Sequence, residues 1–132
     1  MKSFCFQSAQ SDTTLELTAI DADYLRVALV ARDHSAVRRV FAYTDAPLIT
    51  RMFGEAATQW KGWTGRKSWR SVEGDLELHL TCDRAGHVVV SVLISTEDLE
   101  AEGWQHHAEL ALEVGQLDSI ARGLGRIWPV GG

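Results

Sequence analysis

The chain has two cysteines, Cys5 and Cys82, and two prolines in 132 residues. A cysteine pair in no metal-type spacing cannot supply a four-thiolate zinc site or a disulfide framework. It fits a reducing compartment, where free cysteines act as small buried hydrophobes, with a Cys5–Cys82 disulfide as the alternative left open. No apolar run approaches the ~20 residues of a membrane helix. The apolar patch Phe4-Cys5-Phe6 is too short for the hydrophobic region of a signal peptide, so the expected setting is cytoplasmic, away from the membrane. The chain also lacks G-x-x-x-x-G-K-[ST], G-x-G-x-x-G after a strand, H-E-x-x-H, C-x-x-C and G-x-S-x-G. These absences argue against nucleotide hydrolysis, zinc proteolysis and hydrolase-fold esterase chemistry, and they call for no cofactor. Basic residues are short too: 13 Lys and Arg stand against 18 Asp and Glu, for a net charge of −5. Wrapping a nucleic acid with the whole body would need many more phosphate contacts.

What is present is an ordinary globular composition, 45% apolar and 23% charged, which fits one domain over residues 1–132. Leu76 to Cys82 and Val88 to Ile94 flank Asp83-Arg84-Ala85-Gly86-His87. A three-residue loop with Gly86 in the left-handed position pairs Asp83 with His87, which sets Leu80 opposite Val90, Leu78 opposite Val92 and Cys82 opposite Val88. The same pattern occurs 63 residues earlier, with Leu15, Leu17 and Ala19 opposite Leu29, Val27 and Leu25. A third strand follows each hairpin: Val37 to Tyr43, with Val37, Phe41 and Tyr43 on one side, and Trp104 to Val114, where Trp104, Ala108, Leu110, Leu112 and Val114 alternate with Gln105, His107, Glu109 and Glu113. A helix follows each third strand. The first is capped by Thr44 or Asp45, has Pro47 in its first turn and buries Leu48, Met52, Phe53, Ala56 and Trp60. The second starts near Gly115, buries Leu117, Ile120, Ala121 and Leu124, and is weakened and ended by Gly123, Gly125 and Pro129. The expected fold is α+β: an antiparallel sheet of six or seven strands, Phe4 to Ser8 supplying the seventh, with two helices packed on one face. An internal βββα duplication, in halves of about 13–60 and 76–128 joined by residues 60–73, competes with two hairpins that share common turn chemistry.

The most biased stretch is Trp60 to Glu73, which holds three of the five tryptophans and four of the 13 Lys and Arg residues. Its glycines, Gly62 and Gly65, and the irregular tryptophan spacing predict a loop. As a binding site it offers Trp63, Arg66, Lys67, Trp69 and Arg70 for charge and cation–π contacts. As a structural linker, Trp60 and Trp63 would close the core edge while the cations cover indole faces or meet the acidic run at 97–102. Four cations give too small a footprint to favour nucleic acid.

On the other face of the second hairpin, His79 falls opposite Ser91, and a third-strand pairing of residue 91 with 109 would add Glu109. A Ser-His-Glu row supplies a nucleophile, base and orienting acid, but neighbours on a flat sheet bring no oxyanion donors, and polar residues on a solvated strand face are ordinary. His106 and His107 point to opposite faces of a strand, and Asp83 with His87 braces a turn more readily than it binds a metal, so no metal site is expected.

The spacing Trp60-x-Gly62-Trp63-x-Gly65-x-x-x-Trp69-x-Ser71-x-Glu73, followed by Leu76-x-Leu78, Asp83-x-x-Gly86-His87-Val88 and Leu112-Glu113-x-Gly115-Gln116-Leu117, resembles a bacterial domain-of-unknown-function family, number 6228, over roughly residues 45–128. The resemblance implies no activity, cofactor or catalytic residue. The sequence therefore points to a non-enzymatic interaction module of the immunity or regulatory kind, binding a protein through the Trp/Arg-rich segment. The alternatives are a binder of a small anionic ligand, or an enzyme, with a pocket near Trp63, Trp69 and Arg70, and a homodimer formed through a free sheet edge.

Overall fold

The computed structural model describes residues 2–95 and 104–130. Eight strands form two antiparallel sheets of four, and two helices accompany them. The first sheet runs β1 (Ser3–Gln7), β2 (Thr14–Ala19), β3 (Tyr24–Val30) and β4 (Ser35–Phe41), and α1 (Pro47–Thr58) follows. The second runs β5 (Lys67–Arg70), β6 (Leu76–Cys82), β7 (His87–Ser95) and β8 (Gln105–Glu113). A 3₁₀ turn at Val114–Gln116 then leads into α2 (Leu117–Ile127).

Both hairpin registers follow the sequence pattern: Leu15 pairs with Leu29 and Leu17 with Val27, while Leu78 pairs with Val92, Leu80 with Val90 and Cys82 with Val88. An aspartate organises each turn. Asp21 Oδ1 accepts from the amides of Asp23 and Tyr24, and Asp83 Oδ1 accepts from those of Ala85 and His87, all at 2.9 Å. Gly86, at φ 83°, occupies the left-handed position that a side chain would strain.

The single sheet of six or seven strands is thus corrected to two sheets of four. The strand missed entirely is β5, which lies in the segment read as a loop. It pairs Trp69 with Leu78 and Lys67 with Leu80, and four residues at a sheet edge are too few to show an alternating pattern. The face of β4 is also corrected. Val37 and Tyr43 are exposed and Phe41 is half-buried, while Ala36, Val40 and Ala42 are buried. Partners in an antiparallel pair share a face, and Val40 lies opposite Leu25 and Ala36 opposite Leu29. The Phe41 ring lies outside instead, against Tyr24 of β3 with centroids 5.2 Å apart, and Arg39 stacks 4.2 Å from the Tyr24 ring.

The helices differ from expectation at their ends. Helix α1 buries Ile49, Met52, Phe53 and Ala56, but Leu48 is exposed, and Trp60 lies beyond the last turn. Neither Thr44 nor Asp45 caps it: Ala46 holds the N-cap position without a side-chain bond, and Pro47 opens the helix as expected. Helix α2 buries Leu117, Ile120 and Leu124, leaves Ala121 half-buried, and runs through Gly123 and Gly125 to Ile127. Gly123 is where Phe4 packs, with its ring in the space a side chain would fill. The 3₁₀ turn is fixed by a capping box in which Gln116 Oε1 accepts from the Glu113 amide at 2.7 Å.

One core joins the halves. Phe6 meets Phe53 at 5.3 Å, Thr50 Oγ1 donates to the Trp128 carbonyl at 2.9 Å, and α1 packs along α2. Each helix also reaches the first strand of the other half, α1 touching β5 and α2 touching β1. Both cysteines are free, Cys5 exposed and Cys82 half-buried. No described helix is long and apolar enough to cross a membrane.

Candidate functional site

The Trp60 to Glu73 segment begins where α1 ends. The Gln59 amide closes the helix on Glu55 and Ala56, and the Gly62 amide donates to Gln59 at 2.8 Å. Gly62, at φ 108°, then turns the chain in a region closed to other residues. The five residues proposed for binding are divided by this path. Trp69 is 5% exposed, faces the core and donates from Nε1 to the Asp45 carbonyl at 3.1 Å. Arg70 is exposed on the edge strand, its guanidinium over Gly74. Trp63 is half-buried against the core with Lys67 Nζ 5.4 Å from its ring, and Arg66 is exposed. Trp60 stands out at 60% exposure, with Lys61 Nζ 5.3 Å from its ring.

The β5–β6 register pairs Lys67 with Leu80, and extending it by two residues brings Gly65 level with Cys82. The loop at 61–65 therefore lies against the tip of the β6–β7 hairpin. An open cleft of about 630 Å³ lies between them, lined by Lys61, Trp63 and Thr64 on one side and Cys82, Asp83 and Arg84 on the other. Trp63 Nε1 is buried without an acceptor among the described residues. Burial, together with the adjacent Asp83 charge, pushes the Cys82 thiol up despite a backbone hydrogen bond at Trp63, which keeps it protonated and a poor nucleophile at neutral pH. Neither Trp69 nor Arg70 lines the cleft. Sequence reasoning missed the Cys82, Asp83 and Arg84 wall, because it depends on a strand pairing too short to read.

Asp83 is held below the usual aspartate range, first by the His87 amide and then by the His87 ring, whose Nδ1 lies 3.1 Å from Oδ2, and the Ala85 amide. A depressed carboxyl pKa stabilises the fold above the ordinary aspartate range, and that contribution fades as pH falls through the lowered value. The His87 amide resonance is expected to move with this titration, below the pH of a free aspartate. An amide titrating at or above that pH would contradict the assignment.

The row on the outer face of the second sheet is aligned, Ser91 pairing with both His79 and Glu109. Its hydrogen bonds run elsewhere. His79 Nδ1 lies 2.7 Å from Ser68 Oγ, with Nε2 3.5 Å from Glu77 Oε1, while Ser91 Oγ lies 2.8 Å from His107 Nε2. Among the described residues no group of three His, Cys, Asp or Glu side chains is placed to hold a metal ion. The acidic run at 97–102, the expected counterpart of the cations, lies outside the described residues.

A family match covers residues 6–129, almost the whole fold and both halves of it. The chain belongs to DUF6228, a family of unknown function. The match extends well beyond the tryptophan motif, so membership in DUF6228 includes the first hairpin and α1 as well as the segment at 60–73. No curated protein matches the chain.

Proposed function

We propose that this DUF6228 member is a non-enzymatic interaction module, cytoplasmic and of the regulatory or immunity kind. It binds an acidic segment of a protein partner at the end of the molecule formed by Trp60, Lys61, Trp63, Arg66 and Arg84. The observation that carries the reading is the 60% exposure of the Trp60 indole beside an open cleft with cations on both walls. Large aromatic and arginine side chains dominate binding energy at interfaces, and a cationic patch on a chain of net charge −5 selects for opposite charge. The matched element order of the two halves, four strands and a helix each, supports an internal duplication in which this end belongs to the second half.

The test is recovery of tagged protein from its host's lysate for native mass spectrometry, beside a Trp60→Ala/Arg66→Glu variant. Both positions are exposed, so folding is expected to survive and circular dichroism checks it. A polypeptide mass present with the natural chain and lost with the variant is the expected result. A folded variant that keeps every bound mass would overturn the proposal.

A second reading, a small anionic ligand in the cleft, is favoured by the unpartnered Trp63 Nε1 and the flanking Lys61 and Arg84. It predicts a bound mass of a few hundred daltons in the same experiment. A homodimer through a free sheet edge would show instead as twice the chain mass, unchanged in the variant.

A further inference from the structure

A second concavity, lined by none of the residues of the first, lies between the start of β1 and the exposed face of α2. It is an open groove of about 780 Å³ whose lining, among the described residues, has three cationic side chains, Lys2, Arg122 and Arg126, and no carboxylate. Ser119, Arg122 and Arg126 recur at helical spacing, so α2 presents a hydroxyl and two guanidinium groups along one face. Lys2 faces them from just before β1, its Nζ donating to the Arg126 carbonyl at 3.2 Å. The apolar part of the lining comes from Phe4, seated against Gly123, and from Ile127. Outside the lining, the Asp118 carboxylate meets Arg122 at 3.5 Å with both side chains about 70% exposed, a weak pair that an incoming anion can displace.

We propose that this groove is a binding site for a phosphoryl group carried on an apolar body. Two guanidinium groups match the oxygens of a phosphate dianion in forked hydrogen bonds, and the Lys2 ammonium and the hydroxyls of Ser3 and Ser119, all in the lining, complete the donor set. Phe4 and Ile127 give the attached body an apolar surface to lie on. The Arg122 and Arg126 positions repel each other across one helical turn, and a dianion between them turns that repulsion into attraction. This site is separate from the Trp60 end of the molecule, and either can fail without the other.

The test uses phenyl phosphate and inorganic phosphate as probes, titrated into the ¹⁵N-labelled full chain. Phenyl phosphate is expected to give saturable amide shifts at Ser3, Phe4 and along residues 119–127, and to bind more tightly than inorganic phosphate. An Arg122→Gln/Arg126→Gln variant is expected to weaken it by about tenfold or more, while Arg32→Gln, exposed and outside the groove, leaves it unchanged. Both arginines are exposed, and the variant's own amide spectrum reports its folding. Absence of saturable shifts, shifts confined to the 61–65 cleft, or full affinity in the folded double variant would each overturn the site. Equal affinity for the two probes would overturn the apolar half of its specificity.

Discussion

Replacing Trp69 with alanine is expected to destabilise the protein by about 3–5 kcal/mol, the range for truncating a large buried aromatic side chain. The side chain is 5% exposed, stands opposite Leu78 on a short edge strand, and carries the hydrogen bond that ties β5 to the entrance of α1 through the Asp45 carbonyl. Removing it empties the space between the second sheet and α1, and four residues of edge strand have little else to hold them in register. Trp60→Ala is the matched control. It removes the same chemistry nine residues away from a position outside the core, and a change within about 0.5 kcal/mol is expected. Urea unfolding of both variants by circular dichroism makes the comparison. Equal midpoints would show that Trp69 is not the anchor its burial implies.

This contrast also locates the limit of the sequence reading. The tryptophan segment was legible as unusual, but its composition could not separate three indoles with three different environments. Trp69 stands 63 residues after Phe6, and both are buried. The spacing that aligned the hairpins therefore extended to β1 and β5, and following it would have disclosed the edge strand and removed Trp69 from the binding surface. The hairpins were readable because turn chemistry and apolar alternation agreed at Asp83 and Gly86. The face of β4 was not, because its aromatic residues suggested burial more strongly than its alanines. Register with β3 decided otherwise, placing Val40 beside Leu25 and sending Phe41 out to Tyr24. The cleft and the β1–α2 groove were not legible at all, since each is formed by segments brought together only by pairing or packing across the chain.

Arg38→Ala is expected to cost about 3 kcal/mol or more, as for other ion pairs broken so as to leave a buried charge without its partner. Arg38 comes from β4 of the first half, and its Nε donates to Asp75 Oδ2 at 2.8 Å across to the second half. The aspartate side chain is 7% exposed. Its other oxygen accepts from Ser71 Oγ at 2.6 Å, and that hydroxyl in turn accepts from the Leu76 amide at 3.0 Å. The network thus closes the β5–β6 turn and fastens it to the first sheet, so its loss acts on the joint between the halves. Asp75→Asn is expected to cost less, about 1–2 kcal/mol, because Arg38 retains 27% exposure and can turn toward water while the amide still accepts from Ser71. A double-mutant cycle measured by urea unfolding should return a coupling of about 1–3 kcal/mol between the two positions. A coupling near zero would mean that the charge pair adds nothing to the joint it spans.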